Sequence, residues 1–125
     1  MDIATDIATL LLGVTTDIFN DALPESPDNC IALYQDGGFD PVHTFGTQAP
    51  VWEKPAIQVV VRHTIRQTAI SWIESIKDAL DGKTSFIINT HYYMSCFQRG
   101  DVQSLGRDKN KRIRLGLNFL LEVTR

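Results

Sequence analysis

A change of hydrophobic period in mid-chain limits most strongly what this sequence can fold into. From Pro55 to Arg62, Ile57, Val59 and Val61 alternate with Gln58, Val60 and Arg62, the period-two spacing on β-favouring residues that marks a strand. At Thr64 the period lengthens. Ile65, Ala69, Trp72, Ile73, Ile76 and Leu80 fall on one helical stripe, with Arg66, Gln67, Glu74, Lys77 and Asp78 mostly turned outward. Thr64 with Gln67 three residues on has the form of a capping box, and Gly82 suits the left-handed position just past the helix end. Burying a large apolar side chain contributes roughly 1.5–3 kcal/mol as an upper estimate, so five of them anchor a small sheet. A strand followed by the helix that covers its sheet is the expected nucleus.

The flanking segments add to that unit. Met1 to Gly13 reads as a short helix with Ile3, Ile7, Leu10, Leu11 and Val14 on one face and acidic residues in its first turn. Thr15 to Pro27 has no sustained period. Asn29 to Tyr34 is a strand apolar on both faces, as in the interior of a covered sheet, and Asp36-Gly37-Gly38 ends it with turn chemistry. Phe39 to Lys54, with His43, Phe45 and Trp52, reads as a long loop, its aromatics either anchored on the core or held for a partner. Phe86 to Phe97 is strand-like, or two shorter strands if Asn89-Thr90 is a tight turn. Ile113 to Leu121 alternates clearly. Arg99 to Lys111 between them reads as a polar hairpin whose tip leaves the body. The expectation is an α+β fold: one mixed β-sheet of about four strands, two helices packed on it and a long protruding hairpin. All 125 residues are expected in a single domain, a length that buries roughly 65–70% of the unfolded surface.

Charge is distributed unevenly. The net charge is −3, but residues 1–53 hold nine acidic residues and no Lys or Arg, whereas residues 54–125 hold all twelve basic residues against six acidic ones. The two parts therefore carry −9 and +6. Such a split fits internal complementarity, neighbouring copies meeting acidic side to basic side, or plain solvation. Arg99, Arg107, Lys109, Lys111, Arg112 and Arg114, offset by Asp101 and Asp108, form the basic segment. Three readings apply to it: phosphate contact with nucleic acid, docking on an acidic neighbour, or a solvated tip. The acidic overall balance and the lack of an aromatic within Arg107 to Arg112 place a dedicated nucleic-acid binder second.

Catalytic chemistry has no pattern here. His43, His63 and His91 lack metal-ligand spacing to one another or to cysteine, and no phosphate-binding glycine loop is present. Cys30 and Cys96 sit in apolar strand patterns, which favours buried free thiols over a nucleophile. No apolar run reaches the roughly 18 residues of a membrane span. Asp2 and Asp6 stand where a secretory leader carries positive charge, so no signal peptide is expected. No cofactor is expected.

Three stretches in order resemble the minor capsid and tail-terminator proteins of tailed bacteriophages: Leu23 to Tyr34 through Gly37-Gly38, Trp52 to Arg62, and Ser104 to Asp108 through Asn118-Phe119. The resemblance implies a virion structural protein without catalysis, made in the host cytoplasm. It implies a homo-hexameric ring that caps the tail tube, ends tail growth and presents the head-joining surface. The implied partners are other copies of the chain, the tail tube protein and a head–tail connector or stopper protein, with DNA crossing the ring unread. A head-completion or stopper role is the near alternative, and a nucleic-acid-binding module the second. In a head-to-tail ring, the basic segment would face a neighbouring subunit or the channel, with Asp2, Asp6, Asp17 and Asp21 as the acidic counter-surface.

Overall fold

The computed structural model describes residues 3–42 and 52–124. In chain order the elements are α1 (Ile3–Leu10), β1 (Ile18–Asn20), β2 (Cys30–Val42), β3 (Trp52–His63), α2 (Arg66–Leu80), β4 (Lys83–Ile88), β5 (His91–Arg107) and β6 (Ile113–Thr124). The strands form one sheet in the order β1-β2-β3-β6-β5-β4. Among the described residues, the β1–β2 pair is parallel and the other pairs are antiparallel.

The period switch is real and central. Ile57, Val59 and Val61 on β3 and Leu115, Leu117, Phe119, Leu121 and Val123 on β6 point to the face that both helices cover. Ile3, Ile7 and Leu11 come down on them from the α1 end, and Ala69, Ile73, Ile76 and Leu80 from α2. The α+β class and the two covering helices therefore agree with expectation. The sheet, however, has six strands rather than about four.

Two strands were hidden for local reasons. β1 is three residues long and joins the edge of β2 through its backbone, with Ile18 opposite Ile31, too short to show a period. The Phe86–Phe97 stretch is two strands. Asn89 and Thr90 both take positive φ, 50° and 67°, as a two-residue hairpin of the mirror-image type demands.

Three local readings need correction. Asp36-Gly37-Gly38 does not end β2. The pairing with β3 slips between Asp36 and Phe39 and then resumes, so the glycines serve a bulge. Gly38 has φ +67°, and a Cβ there would collide with the Lys54 carbonyl oxygen and lie 2.8 Å from Ala56 N. No capping box forms on α2: Ile65 occupies the cap position without a side-chain cap. Its N–H donates to His63 Nδ1 at 2.9 Å, and the Thr64 N–H donates to Asn29 Oδ1 at 3.1 Å. At the other end Gly82 does follow the cap residue, at φ +76°. Finally, residues 99–107 belong to β5, paired with β6 out to Arg107 opposite Ile113. His43, Phe45 and Asp2 lie outside the described residues.

Candidate interaction surface

Of the basic segment, Arg107, Lys109, Lys111, Arg112 and Arg114 gather with Arg62 where β3, β5 and β6 end together, whereas Arg99 lies apart, opposite Asn118 in mid-sheet. Arg62 pairs with Arg114 across β3 and β6, and Arg107 faces Ile113 across β5 and β6. Beyond them the tight turn 108–111 reverses the chain, with Lys111 at φ 61°. The tip does not stand away from the body. Leu23 to Asp28, at the end of the Thr15–Pro27 stretch without a period, folds over this end, and two buried arginines hold it there.

Arg112 is 3% exposed. Its Nε and Nη2 donate to Asp108 Oδ2, each at 2.8 Å, and its Nη1 donates to the Glu25 carbonyl oxygen at 2.7 Å and to Asp28 Oδ1 at 3.2 Å. Arg62, equally buried, donates from Nη2 to the Pro27 carbonyl at 2.6 Å and from Nε to that of Asp28 at 3.1 Å. A planar guanidinium presents several donors in a fixed fork, which suits it to gripping a turn by its carbonyls. Burial alone would raise the Asp108 carboxyl, but hydrogen bonds from Arg112 and from the Asn110 N–H outweigh it and hold the group below its usual value. Burial likewise opposes the charge on Arg112, and Asp108, Asp28 and Glu25 more than restore it.

Part of the −9/+6 division is therefore satisfied inside one chain. Glu25, Asp28 and Asp108 serve Arg112, and Glu25 also lies 3.5 Å from Lys109 Nζ. Asp6 leaves the acidic counter-surface for a different reason: it is 1% exposed. Its Oδ1 accepts from Asn89 Nδ2 at 2.8 Å, and its Oδ2 meets His91 Nδ1 at 2.7 Å and accepts from the Tyr93 hydroxyl. This carboxylate ties α1 to the β4–β5 hairpin. Asp17 and Asp21 remain exposed, flanking β1. Of the basic set, Arg99, Arg107, Lys109 and Lys111 are exposed, Arg114 is half-buried and Arg112 is inside.

Between the Leu23–Asp28 segment and the hairpin lies a cleft of about 470 Å³, into which Arg62, Arg107, Arg112, Arg114 and Lys109 open alongside Glu25 and Asp108. Arg62 and the Leu23 segment had given no sign of belonging to the basic group, since their proximity depends on strand register. A second surface lies at the other end of the sheet, on the face away from the helices. There Ile87 and Tyr92 pair across β4 and β5, and the half-exposed Phe97 lies further along β5, opposite Leu120.

Both thiols are buried, Cys30 directly opposite Arg62 across β2 and β3. Burial raises Cys30 above its usual value and pushes Cys96, beside Asp81, up to about 12, which removes the thiolate a nucleophile needs. Among the described residues, no cluster of three His, Cys, Asp or Glu has the form of a metal site, and no helix is long and apolar enough to cross a membrane.

Residues 7–125 match the family model described as bacteriophage tail terminator protein. The chain belongs to the bacteriophage tail terminator family. Tail terminators are structural proteins of the virion, so this chain is a structural component of a phage-type tail and not an enzyme. The tail-terminator match begins within α1 and reaches the last residue, taking in every strand and the arginine-held segment. Among solved structures, the fold is similar to a chain in one titled "Virion of native gene transfer agent (GTA) particle". The TM-score is 0.65 at 17% identity, over 98% of this chain and 95% of that one. No match is found among the curated proteins.

Proposed function

We propose that this chain is the tail terminator of a long-tailed bacteriophage or related particle. In this reading it forms a homo-hexameric ring that caps the tail tube, stops its growth and offers the surface to which the filled head is joined. The observation that carries the reading is the family match over residues 7–125. The whole chain acts as one domain, synthesised and assembled in the host cytoplasm, and DNA crosses the ring without being read. Contacts follow with other copies, with the tail tube protein and with a connector or stopper protein.

Two surfaces suit such contacts. A subunit in a closed head-to-tail ring needs two unlike faces. The β5–β6 tip presents Arg107, Lys109 and Lys111 at the surface, and Ile87 and Tyr92 make an exposed apolar cross-strand pair of the kind found at protein contacts. Disruption of the gene is expected to give overlong tails and unattached heads. Tail-less filled heads that leak DNA would instead assign the stopper role. Reversing the charge of Arg107, Lys109 and Lys111 together is expected to weaken ring formation or head joining, and assembly at the unmodified level would refute that role for the tip.

A further inference from the structure

We infer that the cleft at the β5–β6 tip is a binding site for a carboxylate group carried by an acidic protein segment. Five cationic side chains open into it against two acids, Glu25 and Asp108. Those acids are already committed: Asp108 to Arg112, and Glu25 to Arg112 and Lys109. Arg62, Arg107 and Arg114 have no carboxylate within ion-pair distance among the described residues. Each spends its donors on backbone carbonyls instead: Arg62 on Pro27 and Asp28, Arg107 on Lys111 at 2.8 Å, Arg114 on Leu105 at 2.9 Å.

Arg114 is left with a buried Nε that has no hydrogen-bond partner. A buried donor without an acceptor carries an uncompensated desolvation cost, and a carboxylate entering the cleft would supply that acceptor once the guanidinium turns toward it. Guanidinium forks are matched to the two oxygens of a carboxylate.

The shape and the rim decide between a protein acid and duplex DNA. DNA presents one charge per roughly 1.7 Å of its axis, so a duplex lying across this end would also meet Glu25 and Asp28, whose side chains are 72% and 65% exposed. A single carboxylate on a side chain needs only the concavity itself, where Glu25 and Asp108 are already paired. The site needs no ring, and its occupancy is measured on the isolated chain, so failure here and failure of the terminator reading are separate results.

The test is a titration of the full chain with hexaglutamate, following the side-chain Nε–Hε signals of the arginines by two-dimensional NMR. Saturable shifts of the Arg107 and Arg114 signals are expected. Arg107→Ala with Arg114→Ala is expected to lower the affinity about tenfold or more, the usual effect of losing a charged hydrogen bond. The Arg107→Lys, Arg114→Lys variant keeps the charge and the fold but loses the fork, and is expected to bind clearly more weakly than the unmodified chain. Lys111→Ala, outside the cleft, is expected to change affinity by no more than about twofold, as exposed charges do. Unmoved Nε signals, equal binding by the lysine variant, or tighter binding of a 20-base-pair duplex to the same arginines would each overturn the assignment.

Discussion

Replacing Asp6 by alanine tests how α1 is held to the sheet, and the structure supplies the magnitude. Three groups lose their acceptor: Asn89 Nδ2, His91 Nδ1 and the Tyr93 hydroxyl. A hydrogen bond to a charged group contributes about 1.5–3 kcal/mol, but the three losses are unequal. Asn89 is exposed and His91 is 29% exposed, so water replaces most of what they give up. Tyr93 has no exposure, and its hydroxyl is deprived of a charged acceptor where solvent does not reach, at a cost of about 1–3 kcal/mol. Adding the partial losses at the other two gives an expected destabilisation of about 2–4 kcal/mol for Asp6→Ala. Urea unfolding followed by circular dichroism measures it, with Asp17→Ala, an exposed acid of the same segment, expected within about 0.5 kcal/mol of the parent. The cycle is closed with Tyr93→Phe. The double variant also removes the hydroxyl that donated to Asp6 and is expected to regain about 1 kcal/mol relative to Asp6→Ala. A loss below about 1 kcal/mol for Asp6→Ala, or strict additivity in the double variant, would refute the account of Asp6 as a buried tie.

Two further outcomes follow from the local geometry. Gly38→Ala forces a Cβ into the β3 backbone at a positive φ, where strain alone costs about 1–3 kcal/mol. It is expected to destabilise by at least that much in urea unfolding, whereas Gly37→Ala, with nothing within 4 Å of its Cβ, stays within about 0.5 kcal/mol. Burial lowers His63 below its ordinary value, and its Nδ1 must stay unprotonated to accept the Ile65 N–H. The unfolded chain therefore takes up the proton first as pH falls. The stability this residue contributes is complete above about pH 6.5 and is lost as pH drops through the window below. Chemical denaturation between pH 7.5 and 5.5 is expected to show a steeper loss in the parent than in His63→Gln, and equal slopes would exclude His63 as the cause.

Sequence legibility followed the range of the forces involved. The β3–α2 unit and β6 were readable because burial on one face writes a period into the chain, and Ile57 to Leu80 and Ile113 to Leu121 carry it plainly. β1 was not readable, since three residues paired through their backbone impose no side-chain pattern. Gly37-Gly38 was misleading because a bulge and a turn require the same conformational freedom. The charge division was visible, but its assignment to surfaces depended on pairings such as Arg112 with Glu25 and Asp6 with Tyr93, which bridge more than eighty residues. Composition offers no record of such contacts. Arg62 became part of the cationic cleft only through its register with Arg114.

The same long bridges bear on synthesis. The buried carboxylate of the first helix, Asp6, is tied to residues 89–93, and the Leu23–Asp28 segment is fastened by Arg62 and Arg112. On the ribosome, these two fastenings of the opening quarter therefore stay open until residues 93 and 112 have emerged. Because contacts so distant along the chain close slowly, a nascent copy holds its first helix only against the early strands, within reach of chaperones and sister copies, until the β4–β5 hairpin has formed.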